Sequence, residues 1–147
     1  MSDEETSPYA PSDTTLRSIL DEARTIAVVG LSSKPDRDSH GVSRYLQRGG
    51  YRVVPVNPNE TEVLGEKAYA SLLDVPTDVA IDIVDVFRRA EETPSVAEQA
   101  VRAGAKVLWL QEGIVNDEAR RIAEDAGLTV VMGLCIRTTR ERLEREA

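Results

Sequence analysis

The chain has 147 residues, enough for one domain that buries roughly two-thirds of its unfolded surface. Its 26 acidic against 18 basic residues leave a formal net charge of −8, which disfavours general nucleic-acid binding because counterion release needs clustered Lys and Arg. No apolar run approaches the roughly 20 residues that span a bilayer, and the polar start Met1-Ser2-Asp3-Glu4-Glu5 lacks the layout of a signal peptide, so no membrane partner is expected.

The cytoplasm is therefore the expected location, and a lone Cys135, unable to close an internal disulfide, agrees with a reducing compartment. Lys34, Lys67 and Lys106 are the lysines; arginine supplies the remaining Lys-or-Arg positions. Adaptation to a salty cytoplasm and a high-GC genome biased toward Arg, Ala, Asp and Glu account for this acidic composition about equally well.

In chain order, residues 1–13 are polar with Pro8 and Pro11 and are expected to form a flexible tail, leaving 14–147 as the single domain. Ser12 or Asp13 can cap a first helix reaching about Glu22, with Leu16, Ile19 and Leu20 on one face. Five short β-branched runs follow at 25–29, 52–56, 79–84, 106–110 and 129–131; their nearly continuous apolar character suits parallel strands covered on both faces. Between them lie helical patterns. One covers 41–49 and stops at Gly49-Gly50, and a short one covers 70–73. The next starts at Thr93-Pro94, another is capped by Asn116 and ended by Gly127, and a charged last helix begins near Thr138. Strand–helix alternation predicts an α/β, Rossmann-like doubly wound domain with a five-stranded, mainly parallel sheet in the order 3-2-1-4-5. A binding crevice belongs at the carboxyl ends of the strands, where that order reverses.

The first strand ends at Gly30 and enters Leu31-Ser32-Ser33-Lys34-Pro35-Asp36-Arg37-Asp38-Ser39-His40-Gly41. Backbone N–H groups at such a strand-to-helix junction suit a phosphate. A nicotinamide dinucleotide site wants Gly-x-Gly-x-x-Gly here and an acidic residue after the second strand. This chain has Gly30 alone, Ser32 in the place of the second glycine, and Asn57-Pro58-Asn59 after the second strand, so NAD is demoted. The long loop with Ser32, Ser33, Lys34 and Arg37 suits a ligand with more than one phosphate cluster, with Gly41 allowing close approach of the helix end. The same residues also suit an ordinary solvated loop, and their spacing leaves both readings open.

The segments Val29-Gly30-Leu31-Ser32, Ser39-His40-Gly41-Val42, 51–58, 82–88 and 109–114 together resemble the stand-alone CoA-binding domain proteins, relatives of the nucleotide-binding domain in the succinyl-CoA synthetase alpha subunit. The resemblance runs from about Leu16 to Cys135 and implies a Rossmann-like fold that binds coenzyme A. It implies that Gly30, Leu31, Ser32, Ser33, Lys34 and Arg37, with Ser39, His40 and Gly41, hold the CoA phosphates. Val56, Asn57 and Pro58 would border the adenosine side. Val84, Asp85, Val86, Phe87 and Arg88 would flank the pyrophosphate or pantetheine arm, Arg88 pairing with a phosphate, and Gln111 ends the fourth strand at the same edge. Where relatives often carry Met-Asp-Arg-Cys, this chain has Met132-Gly133-Leu134-Cys135, so no polar role is carried over to the middle two positions.

No catalytic group is assigned. The synthetase's phosphohistidine lies in a second domain, and His40, the single histidine, reads as a ligand contact or a helix-start residue. Cys135 reads as a buried thiol or as a reactive one with Arg137 nearby. Asp82 and Asp85 lack a third ligand for a metal, and Asp82 suits the satisfaction of neighbouring backbone groups. Trp109 reads as core or as an adenine-stacking ring. The expected function is a CoA or acyl-CoA binding protein, non-catalytic alone. A small CoA-dependent acyltransferase or ligase component and an NAD- or nucleotide-sensing interaction module are the alternatives, with a homodimer or a protein partner left open.

Overall fold

The computed structural model describes residues 9–146; residues 1–8 of the expected tail lie outside them. The elements run α1 (Asp13–Glu22), β1 (Thr25–Val29), α2 (Asp38–Arg48), β2 (Arg52–Val56), β3 (Glu62–Val63), β4 (Glu66–Lys67), β5 (Ile83–Val86), α3 (Thr93–Arg102), β6 (Val107–Leu110), α4 (Asp117–Asp125), β7 (Thr129–Val131) and α5 (Ile136–Arg145). Short 3-10 turns lie at Leu72–Asp74 and Ala90–Glu92.

Local chemistry explains most boundaries. The Ser12 hydroxyl accepts from the Thr15 N–H, and the Asn116 side-chain oxygen Oδ1 accepts from the Ala119 N–H, each satisfying a free donor at a helix start. Asp13, placed at the end of the expected tail, opens α1 and pairs with Arg142 of α5 at 2.9 Å. Helix α2 starts three residues before the expected 41, because the turn at Arg37 already accepts from the His40 and Gly41 N–H groups. The expected helix 70–73 is instead the single turn Leu72–Asp74, capped by Ser71. Helix α5 begins at Ile136, two residues earlier than expected.

Five strands form one parallel sheet in the order β2-β1-β5-β6-β7. The 3-2-1-4-5 pattern is present, but the segment expected in its third position does not fill it. The outer edge of β2 is taken by Tyr69, whose N–H donates to Pro55 O and whose carbonyl accepts from Asn57 N–H, a one-residue parallel bridge. Pro55 fits that edge because its missing donor faces away from β1. The strand expected third therefore crosses to the other side of β1 and pairs there as β5.

The limits of that strand also need correcting, from 79–84 to Ile83–Val86. Apolar 79–81 is a bend followed by irregular backbone, and Ile81 is buried in the core without pairing as a strand. Strands β3 and β4 form an antiparallel hairpin that periodicity did not predict; its two turn residues, Leu64 and Gly65, both have positive φ, as a two-residue hairpin turn requires.

Alternate strand residues feed two apolar layers. Ala27, Val29, Val84, Val86, Leu108 and Leu110 face α3 and α4. There Ala97, Ala100, Ala119 and Ala123 let the two helices lie close together over the sheet. Ile26, Val28, Ile83 and Trp109 face the other side, with Leu16 and Leu20 of α1, Leu46 of α2 and Leu143 of α5. Trp109 is fully buried and its indole N–H donates to Leu134 O at 2.9 Å, which makes it core rather than a stacking platform. Among the described residues no helix is long and apolar enough to cross a membrane.

Candidate functional site

Strand order reverses between β1 and β5, since β2 lies to one side of β1 and the later strands of the same sheet, β5, β6 and β7, to the other. At the carboxyl ends of these three strands the backbones close on one another. The Gly30 N–H donates to Val56 O and the Phe87 N–H to Val29 O, both at 2.8 Å. Gly30 has φ +90°, and a Cβ there would lie 2.3 Å from Phe87 O and 3.2 Å from Arg88 Cδ. No other residue fits that position. Three segments distant in sequence, around Gly30, Val56 and Phe87–Arg88, thus meet at one point.

The loop from Leu31 to Arg37 rests on this junction. Leu31 is fully buried, and its carbonyl accepts from Asn57 Nδ2 at 3.0 Å, while Asn57 Oδ1 accepts from Asn59 N–H. Asn57 therefore ties the loop after β1 to the loop after β2. The Ser39 hydroxyl, buried in the first turn of α2, accepts from Ser32 N–H at 3.1 Å, and the Ser32 hydroxyl accepts from Lys34 N–H. The Ser33 N–H donates to a carboxylate oxygen of Glu60 at 2.9 Å. Lys34 and Arg37 are exposed on the loop; His40 and Gly41 are half-buried in the first turn of α2.

Beside the junction opens a cavity of about 300 Å³ lined by Val56, Pro58, Ser71, Arg88, Glu92 and Ser95, among others. Arg88 is held by Glu92: its Nε donates at 2.9 Å and a second guanidinium nitrogen also pairs with the same carboxylate oxygen. Arg89 donates to the other oxygen. Together the two guanidinium groups keep the Glu92 carboxyl below its usual range, Arg89 having the larger effect.

The remaining candidates face inward. Val84 and Val86 fill the layer under α3 and α4. Gln111 is buried, and its side-chain oxygen accepts from Ile136 N–H, which fixes the start of α5. Asp85, expected beyond a strand end, lies within β5 between Val28 and Trp109, fully buried. Among the described residues neither carboxyl oxygen has a hydrogen-bond partner, and burial pushes its pKa well above the usual carboxylate value. Asp82 is the opposite case. Burial pushes its carboxyl up, but the N–H groups of Thr25 and Arg24, with Lys106, outweigh that and hold it low. Cys135 is half-buried just before α5, against the helix-side core. Among the described residues no group of three or more His, Cys, Asp and Glu is placed to hold a metal ion.

Ser71, Ser95 and Gln99 line the cavity although sequence reading did not single them out. Ser95 had a readable signal, since Thr93-Pro94 marks a helix start and places its first turn at this edge. Ser71 had none, because its position depends on the bridge made by Tyr69.

The site suits a phosphorylated ligand on its own geometry. The Ser33 N–H already holds an anionic oxygen, and Arg88 lies beside the junction that Gly30 allows. Comparison with known proteins places the chain in a family. An uncharacterized protein of Bacillus subtilis (strain 168), YneT, is 49% identical over 127 residues, covering 86% of this chain and 93% of its own length. The solved structure of a hypothetical protein from Pyrococcus horikoshii OT3 superposes with a TM-score of 0.89 at 44% identity, covering 96% of this chain and 99% of that one. The alpha subunit of ADP-forming acetate–CoA ligase II from Pyrococcus furiosus is 29% identical over 123 residues; the match takes in 77% of this chain but 27% of that subunit. The model of the CoA binding domain matches residues 24–140, and the chain belongs to that family.

Proposed function

We propose that the chain binds coenzyme A or an acyl-CoA in the crevice at the ends of β1, β2 and β5, and holds it without transforming it. The observation that carries this reading is the Ser33 N–H, which holds a carboxylate oxygen on the loop that leaves β1 at Gly30. A donor that accommodates one oxyanion accommodates a phosphate oxygen. Lys34 and Arg37 add positive charge on the loop side and Arg88 on the other. Ser32, Ser39 and Asn57 act as positioning residues, because their side chains hold the loop in shape. Leu31, Val84, Val86 and Gln111 support the crevice from the core. When bound, CoA would supply its thiol, and this chain would orient the nucleotide end.

The match to the related ligase subunit takes in 27% of that subunit, and the reading concerns that shared domain alone, as a carrier or sensor of the coenzyme. The lone cysteine favours a cytoplasmic, reducing setting for such a role. Titration calorimetry and thermal melting with CoA, dephospho-CoA, ADP and NAD test the reading. CoA should bind and raise the melting temperature, with dephospho-CoA and ADP weaker. Stabilisation by NAD with no response to CoA would overturn it.

A further inference from the structure

Two donors of the crevice, the Ser33 N–H and the Arg88 guanidinium, each already hold a carboxylate, from Glu60 and Glu92. Three successive N–H groups of the loop are satisfied: Ser32 by the Ser39 hydroxyl, Ser33 by Glu60, and Lys34 by the Ser32 hydroxyl. The two hydroxyls come from the loop and from the helix it leads into. Glu60 comes from outside, on a turn after β2 in which its own N–H donates to Asn57 O. Its carboxyl lies below the usual range because the Ser33 N–H and hydroxyl favour the charged form and Lys34 adds attraction. Those are the groups that a phosphate would use. Across the junction Glu92 holds Arg88 in the same manner, and both line the cavity.

We propose that Glu60 is a built-in competitor of the bound anion: its carboxylate occupies the Ser33 donor and must leave before a ligand phosphate takes that place. Glu92 holds Arg88 by the same device on the opposite wall. The ligand then exchanges one anion for another instead of filling empty donors. A single weak anion gains little from this exchange, whereas a ligand that brings several linked phosphate charges displaces both carboxylates in one event. In its choice of ligand the proposal rests on the CoA reading; the competition itself concerns any phosphate.

The experiment compares wild type, Glu60→Gln and Glu60→Ala by calorimetry, with CoA and with inorganic pyrophosphate as separate probes. Removing the charge should tighten both probes by roughly 3- to 10-fold, an effect that shrinks as salt screens the carboxylate. The Ser33 amide resonance should also move on ligand addition in the wild type. Weaker binding by both variants would overturn the proposal, since Glu60 would then be supporting the ligand. Unchanged affinity would overturn it as well. Tighter pyrophosphate binding with no CoA binding by any of the three proteins would sustain the competitor and reject CoA. Absence of binding by either probe to all three proteins would reject both.

Discussion

At each end of the sheet a carboxylate accepts from backbone N–H groups, yet the two arrangements differ in permanence. At the amino end, Asp82 sits one residue before β5 and takes the N–H groups of Arg24 and Thr25 at 2.8 and 2.9 Å. Its side chain is only 17% exposed, so water cannot readily replace it. At the carboxyl end, the half-buried Glu60 reaches the exposed Ser33 N–H from the turn after β2. A carboxylate beside the sheet that holds two N–H groups, one part-buried, acts as a stitch; one that a loop carries to a single exposed N–H acts as a placeholder. The amino-end N–H groups are thereby held by their own carboxylate, and the carboxyl-end donor is left open to ligand exchange.

The largest effect should come from the floor of the open end. Gly30→Ala puts a methyl group 2.3 Å from Phe87 O in a left-handed conformation, so the β1 and β5 exits must separate. The left-handed backbone alone costs about 1–2 kcal/mol, and the clash adds to it, for an expected loss above about 3 kcal/mol in urea unfolding. CoA binding should fall with it. A variant as stable as wild type would mean that the junction is loose and that the open end is not built around this glycine.

Next in size is the stitch. Asp82→Ala leaves two N–H groups at the start of β1 without their acceptor, one of them part-buried. A loss of about 2 kcal/mol is expected, against less than about 0.5 kcal/mol for Glu60→Ala, whose N–H partner can turn to water. Because the folded Asp82 pKa is lowered, its contribution is present above the ordinary carboxylate range and fades as pH falls through the folded value. Equal losses for the two variants would erase the distinction between the ends.

Asp85 sharpens the contrast from the interior, three residues further along. It has the burial of a stitch but, among the described residues, no donors. Its folded pKa is raised, so the folded state holds a proton that the unfolded state releases, and stability falls as pH rises from about 4 toward the folded value. Asp85→Asn keeps the shape without the ionisation. The variant should therefore gain on the wild type as pH rises, by up to about 1.4 kcal/mol per pH unit inside that window, read from melts between pH 5 and 9. Parallel stability curves would show that Asp85 finds charge-stabilising donors after all.

Most of the fold was legible because its signals are local. Apolar runs marked β1, β2, β6 and β7, Asn116 and Ser12 announced caps, and Gly30 announced a tight strand exit. What could not be read depends on distant partners. The Tyr69 bridge excludes the third apolar run from the outer edge, and only the folded chain brings it there. Reading that run as 79–84 also left Asp85 outside the strand, where a ligand role was plausible, whereas the true register buries it. Within the candidate site, the glycine and the serine loop were visible. The Ser33–Glu60 contact joins residues 27 apart and had no signal in either segment.

The smallest expected effect tests whether the stitch depends on its visible ion pair. Lys106 Nζ lies 3.6 Å from Asp82 Oδ1, and its side chain is 76% exposed. At that distance and exposure, solvent and salt screen most of the attraction, and ordering a lysine opposes the remainder. The Asp82 oxygen that bonds β1 is the other one, Oδ2. Lys106→Ala should therefore change stability by less than about 0.5 kcal/mol and leave the acid limb of the stability profile nearly in place. A loss comparable to that of Asp82→Ala would mean that the charge partner, and not the pair of backbone N–H groups, keeps the carboxylate at the amino end. The two ends would then differ by the cation beside each carboxylate rather than by the N–H groups each one holds, and Lys34 beside Glu60 would become the residue to vary.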